Sequence, residues 1–225
     1  AGNKKGLRAL VDYGDRTAAY GWHVLSRTLA YAAGLVPEIS DDVAAVDEAM
    51  RLGYNWKYGP FELIDLLGPA WFAERLRKDG MEIPPLLKKV SDGKFYREND
   101  GRQQVFGVDG AWRDVVRPEG CLMLSDIKRR ARPVESNSSA SLWDIGDGVL
   151  CLEFHSKMNA LGLGSLAMAR KAVDIVPGRY KGLVIYNEAT NFSVGANIGL
   201  LLVLALLRLT PIVRWIVGKG QDSYR

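Results

Sequence analysis

Apolar positions at helical spacing dominate the first third of the chain. Trp22, Leu25, Leu29 and Ala33 recur along one face and predict a helix that Gly34 stops, with Pro37 beyond it. His23, beside Trp22 and Leu25, is expected on the packed side of that helix. Ser40 is placed to cap a second helix with Asp41 and Asp42 in its first turn and Val43, Val46 and Met50 as its stripe. Asp47 and Arg51 are spaced to pair along it, and Gly53 closes it. After an aromatic loop, Pro60 stands at a first helical position and Phe61, Leu63, Ile64 and Leu67 follow to Gly68. Trp71, Phe72 and Leu76 predict one more helix, stopped near Gly80. Residues 1–90 therefore read as an all-helical unit.

The pattern then shortens. Residues 94–97, 103–106 and 111–116 are strand-like runs separated by Asn99-Asp100-Gly101 and Asp109-Gly110, both hairpin signals. With a helix over 121–131 they make a β-meander and joining segment, residues 91–132. The serine-rich stretch 133–141 reads as the linker.

Residues 142–154 predict a hairpin turning at Asp147-Gly148, and Lys157 to Leu161 a loop after it. Leu166, Ala169, Val173 and Val176 line a helix ended by Pro177. Leu183, Val184, Ile185 and Tyr186 then form a short apolar run expected to be a strand covered on both faces. Strand, helix, strand in that order predicts a crossover and a parallel pair. Past the strand, Asn187 to Asn191 is a polar turn, and Gly195 in Phe192-Ser193-Val194-Gly195-Ala196-Asn197 supplies positive φ before a new helix. Unpartnered N–H groups at such a helix start can receive an oxyanion, although a plain connection has the same pattern.

With 225 residues, 48% hydrophobic and 25% charged, the chain has room for one large domain or two small ones and for a buried core. The net charge of +4 is mild. Lys128, Arg129, Arg130 and Arg132 form one short basic cluster that fits a solvated helix end, and no long basic stripe with interleaved aromatics argues for nucleic acid. Cys121 and Cys151 are too far apart for a disulfide framework or a metal knuckle, which points to the reducing cytoplasm, and His23 and His155 have no HExxH partner. Residues 198–207 and 212–217 are strongly apolar, but Arg208, Pro211 and Arg214 interrupt them before a membrane span is reached.

Two stretches carry a family resemblance. Val46 to Gly68, VDEAMRLGYNWKYGPFELIDLLG, is similar to the C-terminal helical domain of 3-hydroxyacyl-CoA dehydrogenases, with its D-x-A-M-x-x-G and GPFEL-x-D pattern. Leu150 to Gly199, from LCLEFHSKMNAL to NFSVGANIG, resembles the first third of an enoyl-CoA hydratase (crotonase) domain. Together they resemble the bacterial multifunctional dehydrogenase/hydratase fusions of fatty-acid β-oxidation. The implied fold is mixed α+β: a dehydrogenase-like helical domain over 1–90, the β-meander joining segment, and an incomplete crotonase-like α/β domain over 142–225.

In crotonases two backbone N–H groups polarise a thioester carbonyl and stabilise the charge that develops on its oxygen. The resemblance implies that the N–H of Ala196 is one donor, that Gly195 permits the turn, and that Lys157, Met158, Asn159 and Ala160 contact the coenzyme A portion of an acyl-CoA substrate; a solvated loop is the alternative for those four. Asn197 replaces the usual aspartate and leaves the backbone donor intact. The second donor segment and the hydratase carboxylates of the family do not occur in these residues, and Glu188, the one carboxylate near the turn, reads as a surface residue. Dehydrogenase chemistry needs NAD on a GxGxxG fingerprint in a preceding domain; Gly162-Leu163-Gly164 comes nearest and lacks the third glycine. The expectation is an enzyme segment that binds no cofactor of its own and is not competent alone. It would complete itself with further domains of the same polypeptide or a partner subunit. A non-catalytic helical interaction or dimerisation module, whose helical unit from Trp22 to Leu76 and apolar helix from Ile198 to Val217 bury surface against further domains or subunits, is the alternative. A membrane-surface protein anchored by that helix is the third.

Overall fold

The computed structural model describes residues 6–91, 93–196, 202 and 206–222. The chain forms two compact units, Ala1–Gly120 and Cys121–Arg225.

In the first unit six helices precede a small sheet: α1 (Leu7–Val11), α2 (Arg16–Gly34), α3 (Val43–Tyr54), α4 (Pro60–Leu67), α5 (Pro69–Lys78) and α6 (Pro85–Val90). The helical spacing in α2 is realised, since Trp22, Leu29 and Ala33 are buried in the core. His23 departs from expectation. It is exposed, with its ring Nδ1 2.9 Å from Arg27 Nη1, because Ser26 rather than His23 completes the buried stripe. The cap of α3 is Asp42, which accepts from Ala44 N at 2.9 Å, while Ser40 receives the N–H of Asp42. The helix also runs past Gly53 to Tyr54 and ends on Asn55 in the left-handed region. The short helices α1 and α6 have no clear periodic signature; they are held by burial of Val11 and of Leu86, Leu87 and Val90.

Strands β1 (Tyr96–Asn99), β2 (Arg102–Phe106) and β3 (Trp112–Asp114) form an antiparallel meander. Its first turn places Asp100 and Gly101 at φ 49° and 65°, as a two-residue hairpin of right-handed twist requires. Phe95 and Val105 are buried in the same core as the helices, and Phe95 meets Phe61 edge to face at 4.9 Å. The meander therefore belongs to the helical unit and is not a separate joining segment, since its inner face is buried in that unit's core.

The second unit opens with α7 (Leu124–Arg130), followed by β4 (Glu135–Ser136), β5 (Ala140–Asp144) and β6 (Val149–Phe154). After a 3-10 turn at Lys157–Asn159 come α8 (Leu163–Arg179), β7 (Gly182–Ile185) and α9 (Thr210–Asp222). The sheet order is β4-β5-β6-β7, antiparallel except for the parallel pair β6 and β7. Alternation along β6 builds two layers. Leu150, Leu152 and Phe154 share a core with Met168 and Ala172 of α8, while Cys151 packs with Trp143 and with Leu124 of α7.

Several expectations are corrected here. The stretch 133–141 is no linker: it forms β4 and the start of β5, and Asn137 Oδ1 turns the hairpin by accepting from Ser139 N and Ala140 N at 2.8 and 2.9 Å. The division of the chain falls instead at Gly120. Helix α8 continues through Pro177 to Arg179; Val173, whose carbonyl loses its partner there, lies on the exposed side. β7 is an edge strand whose Val184 and Ile185 are 44% and 43% exposed, so the expected burial on both faces is not met. The helix expected at 198–207 lies largely outside the described residues. α9 carries exposed Ile212, Trp215 and Val217. Among the described residues no helix is long and apolar enough to cross a membrane.

Candidate functional site

Two polar constellations stand out, one in each unit. In the first, Asp47 of α3 is wholly buried and receives three donors: the N–H of Phe61 at 2.8 Å, the N–H of Glu62 at 3.1 Å and the Tyr96 hydroxyl at 2.7 Å. Gly59 at the head of α4 has no side chain to cap that helix, and Asp47 does so from a neighbouring one. The two are matched, since a Cβ on Gly59 would run into the backbone and side chain of Asp47. Glu62 reaches back to Gly59 N at 2.8 Å and pairs with Arg51 at 2.5 Å. Arg51 thus answers Glu62 and not Asp47, as the i, i+4 spacing had suggested. One helical turn on, Asp65 accepts from Phe95 N at 2.8 Å and Tyr96 N at 2.9 Å and fastens the meander to α4. Burial raises the Asp47 carboxyl to about 7 and raises Asp65 as well, outweighing the donors aimed at each. All these groups are occupied with one another, so the constellation reads as structural.

The second constellation lies at the carboxyl ends of β6 and β7. The chain leaves β7 into Asn187, which is buried; its Oδ1 accepts from Phe154 N at 2.7 Å and its Nδ2 donates to Phe192 O at 2.6 Å. The loop after β6 closes on the same turn. Asn159 Nδ2 donates to Asn191 O at 2.8 Å, Ser193 Oγ donates to Asn159 O at 2.7 Å, and Gly195 N donates to Ser193 Oγ at 3.0 Å. Leu161 N then donates to Gly195 O at 2.8 Å, and Leu161 and Ala196 form a parallel bridge. Gly195 has φ 80° with open space around it. No hydrogen bond to another described residue takes up the N–H of Ala196. Asn197 and the helix expected after it lie outside the described residues.

The fold thus brings residues 157–161 and 193–196 together. Within the first stretch the side chains divide. Lys157 and Met158 are exposed, Ala160 is half-buried, and Asn159 is buried with its amide committed to the turn. Asn159 therefore positions the turn instead of facing a ligand. Asn187 and Ser193 complete the fastening, and their only signal in the sequence is their type, short polar side chains beside a turn. Glu188 is exposed, as a surface residue was expected to be, and it also accepts the N–H groups of Leu124 and of Ser125, the latter at 2.9 Å, at the start of α7.

The basic cluster is also engaged. Lys128 Nζ donates to the buried Glu153 at 2.7 Å, which also accepts from Trp143 Nε1 at 2.9 Å. Cys121 is exposed and Cys151 buried, its thiol pushed up to about 11 chiefly by burial. His155 Nε2 lies 2.8 Å from Ser141 Oγ. Among the described residues no group of His, Cys, Asp or Glu could hold a metal ion. Gly162-Leu163-Gly164 is no dinucleotide cradle: it opens α8 after a 3-10 turn, and a Cβ on Gly164 would meet Ser139 Oγ at 2.7 Å, which marks a packing glycine.

Residues 21–105 match the family described as 3-hydroxyacyl-CoA dehydrogenase, C-terminal domain. A Bacillus subtilis (strain 168) protein named as a 3-hydroxyacyl-CoA dehydrogenase is 40% identical over 206 residues, covering 90% of this chain and 26% of that protein. Proteins named as fatty acid oxidation complex trifunctional enzymes are 31% identical in Rickettsia felis and 29% identical in Rickettsia prowazekii, each over 180 residues, covering 80% of this chain and 22% of theirs. The chain spans about a quarter of the length of these curated relatives. No solved structure matches it. The helical unit thus matches the C-terminal domain of the 3-hydroxyacyl-CoA dehydrogenases, in a chain whose relatives are named as fatty-acid oxidation enzymes.

Proposed function

We propose that this chain is a segment of a fatty-acid β-oxidation enzyme acting on acyl-CoA thioesters. In this reading residues 1–90, with the meander, form the substrate-side helical domain of a 3-hydroxyacyl-CoA dehydrogenase, and residues 142–225 form the opening part of a crotonase-like hydratase domain. NAD belongs to a domain outside these residues, as the packed Gly164 supports. The observation that carries the hydratase half is the turn at 193–196. Gly195 at φ 80° directs the chain so that the amide of Ala196 has no partner among the described residues, beside the loop that starts at Lys157. A thioester oxygen there would accept from Ala196, and exposed Lys157 would face the coenzyme A phosphates. One donor stabilises developing charge less than two, and among the described residues Glu188, the carboxylate near the turn, is engaged with α7 and not free to move a proton. The segment on its own therefore binds acyl-CoA weakly and does not hydrate it.

The test is titration of the 225-residue chain with crotonyl-CoA, followed by backbone amide chemical shifts and by absorbance of the enoyl thioester. Shifts centred on Ala196 and residues 157–161 with no loss of the enoyl absorbance are the expected result. Shifts elsewhere, or measurable hydration, would overturn the assignment. A second reading, a non-catalytic interaction module, is favoured by exposed Leu206, Leu207 and Trp215; light scattering separates it, since that reading requires self-association.

A further inference from the structure

We infer that Glu188 is a positioning residue that ties the docking of α7 to the geometry of the Ala196 turn; the functional weight of this rests on the acyl-CoA reading above. Helix α7 has seven residues and no side-chain cap of its own, as Met123 stands at its N-cap position. A helix so short does not hold itself in water, and its first N–H groups need partners from elsewhere. Glu188 supplies them, with one carboxylate oxygen on the N–H of Leu124 and the other on that of Ser125. Charge-assisted bonds of this kind are about twice as strong as neutral ones and gain from the positive end of the helix.

Neighbouring residues of the turn are held by different elements. Asn187 is fastened to β6 through Phe154 N and to Phe192 O, while the next residue is fastened to α7. Helix α7 is itself anchored, by Leu124 packed on Trp143 and Cys151 and by Lys128 on Glu153. Between Glu188 and Gly195 the chain makes no regular element, so its path depends on these fixed points together with the bonds of Asn191 and Ser193 to Asn159. Release of Glu188 leaves Asn187 and the bonds of Asn191, Ser193 and Gly195 to the loop at 157–161 in place, but removes the fixed point between them and loosens the path of the turn.

The experiment is amide hydrogen exchange on the 225-residue chain, comparing Glu188→Ala and Glu188→Gln with the unsubstituted protein over residues 124–130, 189–196 and 149–154. Glu188→Ala is expected to raise exchange at 189–196 and at the start of α7 by about tenfold or more, with β6 unchanged. Glu188→Gln keeps an acceptor oxygen and is expected to restore most of the protection. Crotonyl-CoA titrated alongside is expected to bind Glu188→Ala several-fold more weakly. Exchange that rises only in α7, or equally in β6, overturns the positioning role. If the unsubstituted chain binds no crotonyl-CoA while the exchange pattern holds, the positioning stands and the acyl-CoA reading falls.

Discussion

The Tyr96 hydroxyl donates to Asp47 Oδ2 at 2.7 Å, joining α3 to the first strand of the meander across 49 residues of chain. Asp47 at the same time caps α4, and Asp65 of α4 holds the backbone of Phe95 and Tyr96. Asp47, Glu62 and Asp65 of the Val46 to Gly68 motif are therefore a set of ties that fix α3, α4 and β1 to one another. The burial of Asp47 makes its ties costly to break, since removing it leaves its donors unsatisfied.

That burial sets a pH dependence. Asp47 is raised from 3.8 to about 7 in the folded protein, so between those limits the folded state holds a proton that the unfolded chain has released. The contribution of Asp47 to stability is greatest below about pH 4, falls as the pH rises to about 7 and is level above it. Urea unfolding at several pH values in that window measures the slope. Asp47→Asn, which cannot titrate, is expected to flatten it; Asp47→Ala, which also removes the titrating group, is expected to cost most below about pH 4, about 3 kcal/mol through loss of the cap and its donors, and less as the pH rises to about 7.

Gly59→Ala separates sterics from conformation. Gly59 has an ordinary φ of −75°, so the backbone accepts alanine, but the added methyl group meets Asp47. Overpacking of this kind is expected to cost about 2 kcal/mol or more, read as a lower unfolding midpoint. A midpoint unchanged from that of the unsubstituted chain would mean that Asp47 is not seated against α4.

Gly195→Ala is the converse case. A Cβ there meets nothing within 4 Å, yet φ is 80°. The cost is conformational, about 1 kcal/mol or somewhat more, and falls on the turn rather than on the core. Calorimetry is expected to show little change in the unfolding temperature, while crotonyl-CoA titration shows weaker binding.

Asn187→Ala removes the acceptor of Phe154 N and the donor to Phe192 O. The Phe154 N–H is then buried without a partner, and a loss of about 1 to 3 kcal/mol in urea unfolding is expected. Exchange of the Phe154 amide reports the same event locally and distinguishes it from a general loosening of the sheet.

Periodicity and turn chemistry made much of this molecule legible beforehand. The stripe of Trp22, Leu29 and Ala33, Pro60 at the head of α4, the Asp100-Gly101 hairpin and the positive φ of Gly195 follow from local rules: burial of one face, a fixed ring, or the absence of a Cβ. The loop at 157–161 and the turn at 195–196 were legible as separate pieces. That they meet was not, since a hydrogen bond such as Ser193 to Asn159 joins residues 34 apart and depends on where two parallel strands end. For the same reason Asp47 looked like a partner of Arg51, Glu188 like a solvated carboxylate, and the serines of 133–141 like a flexible tether. A polar side chain takes whichever donors tertiary packing brings within reach. Sequence spacing alone determined the elements and the glycine that turns the chain; only the assembled core decided which charges are buried and which amide has no partner among the described residues.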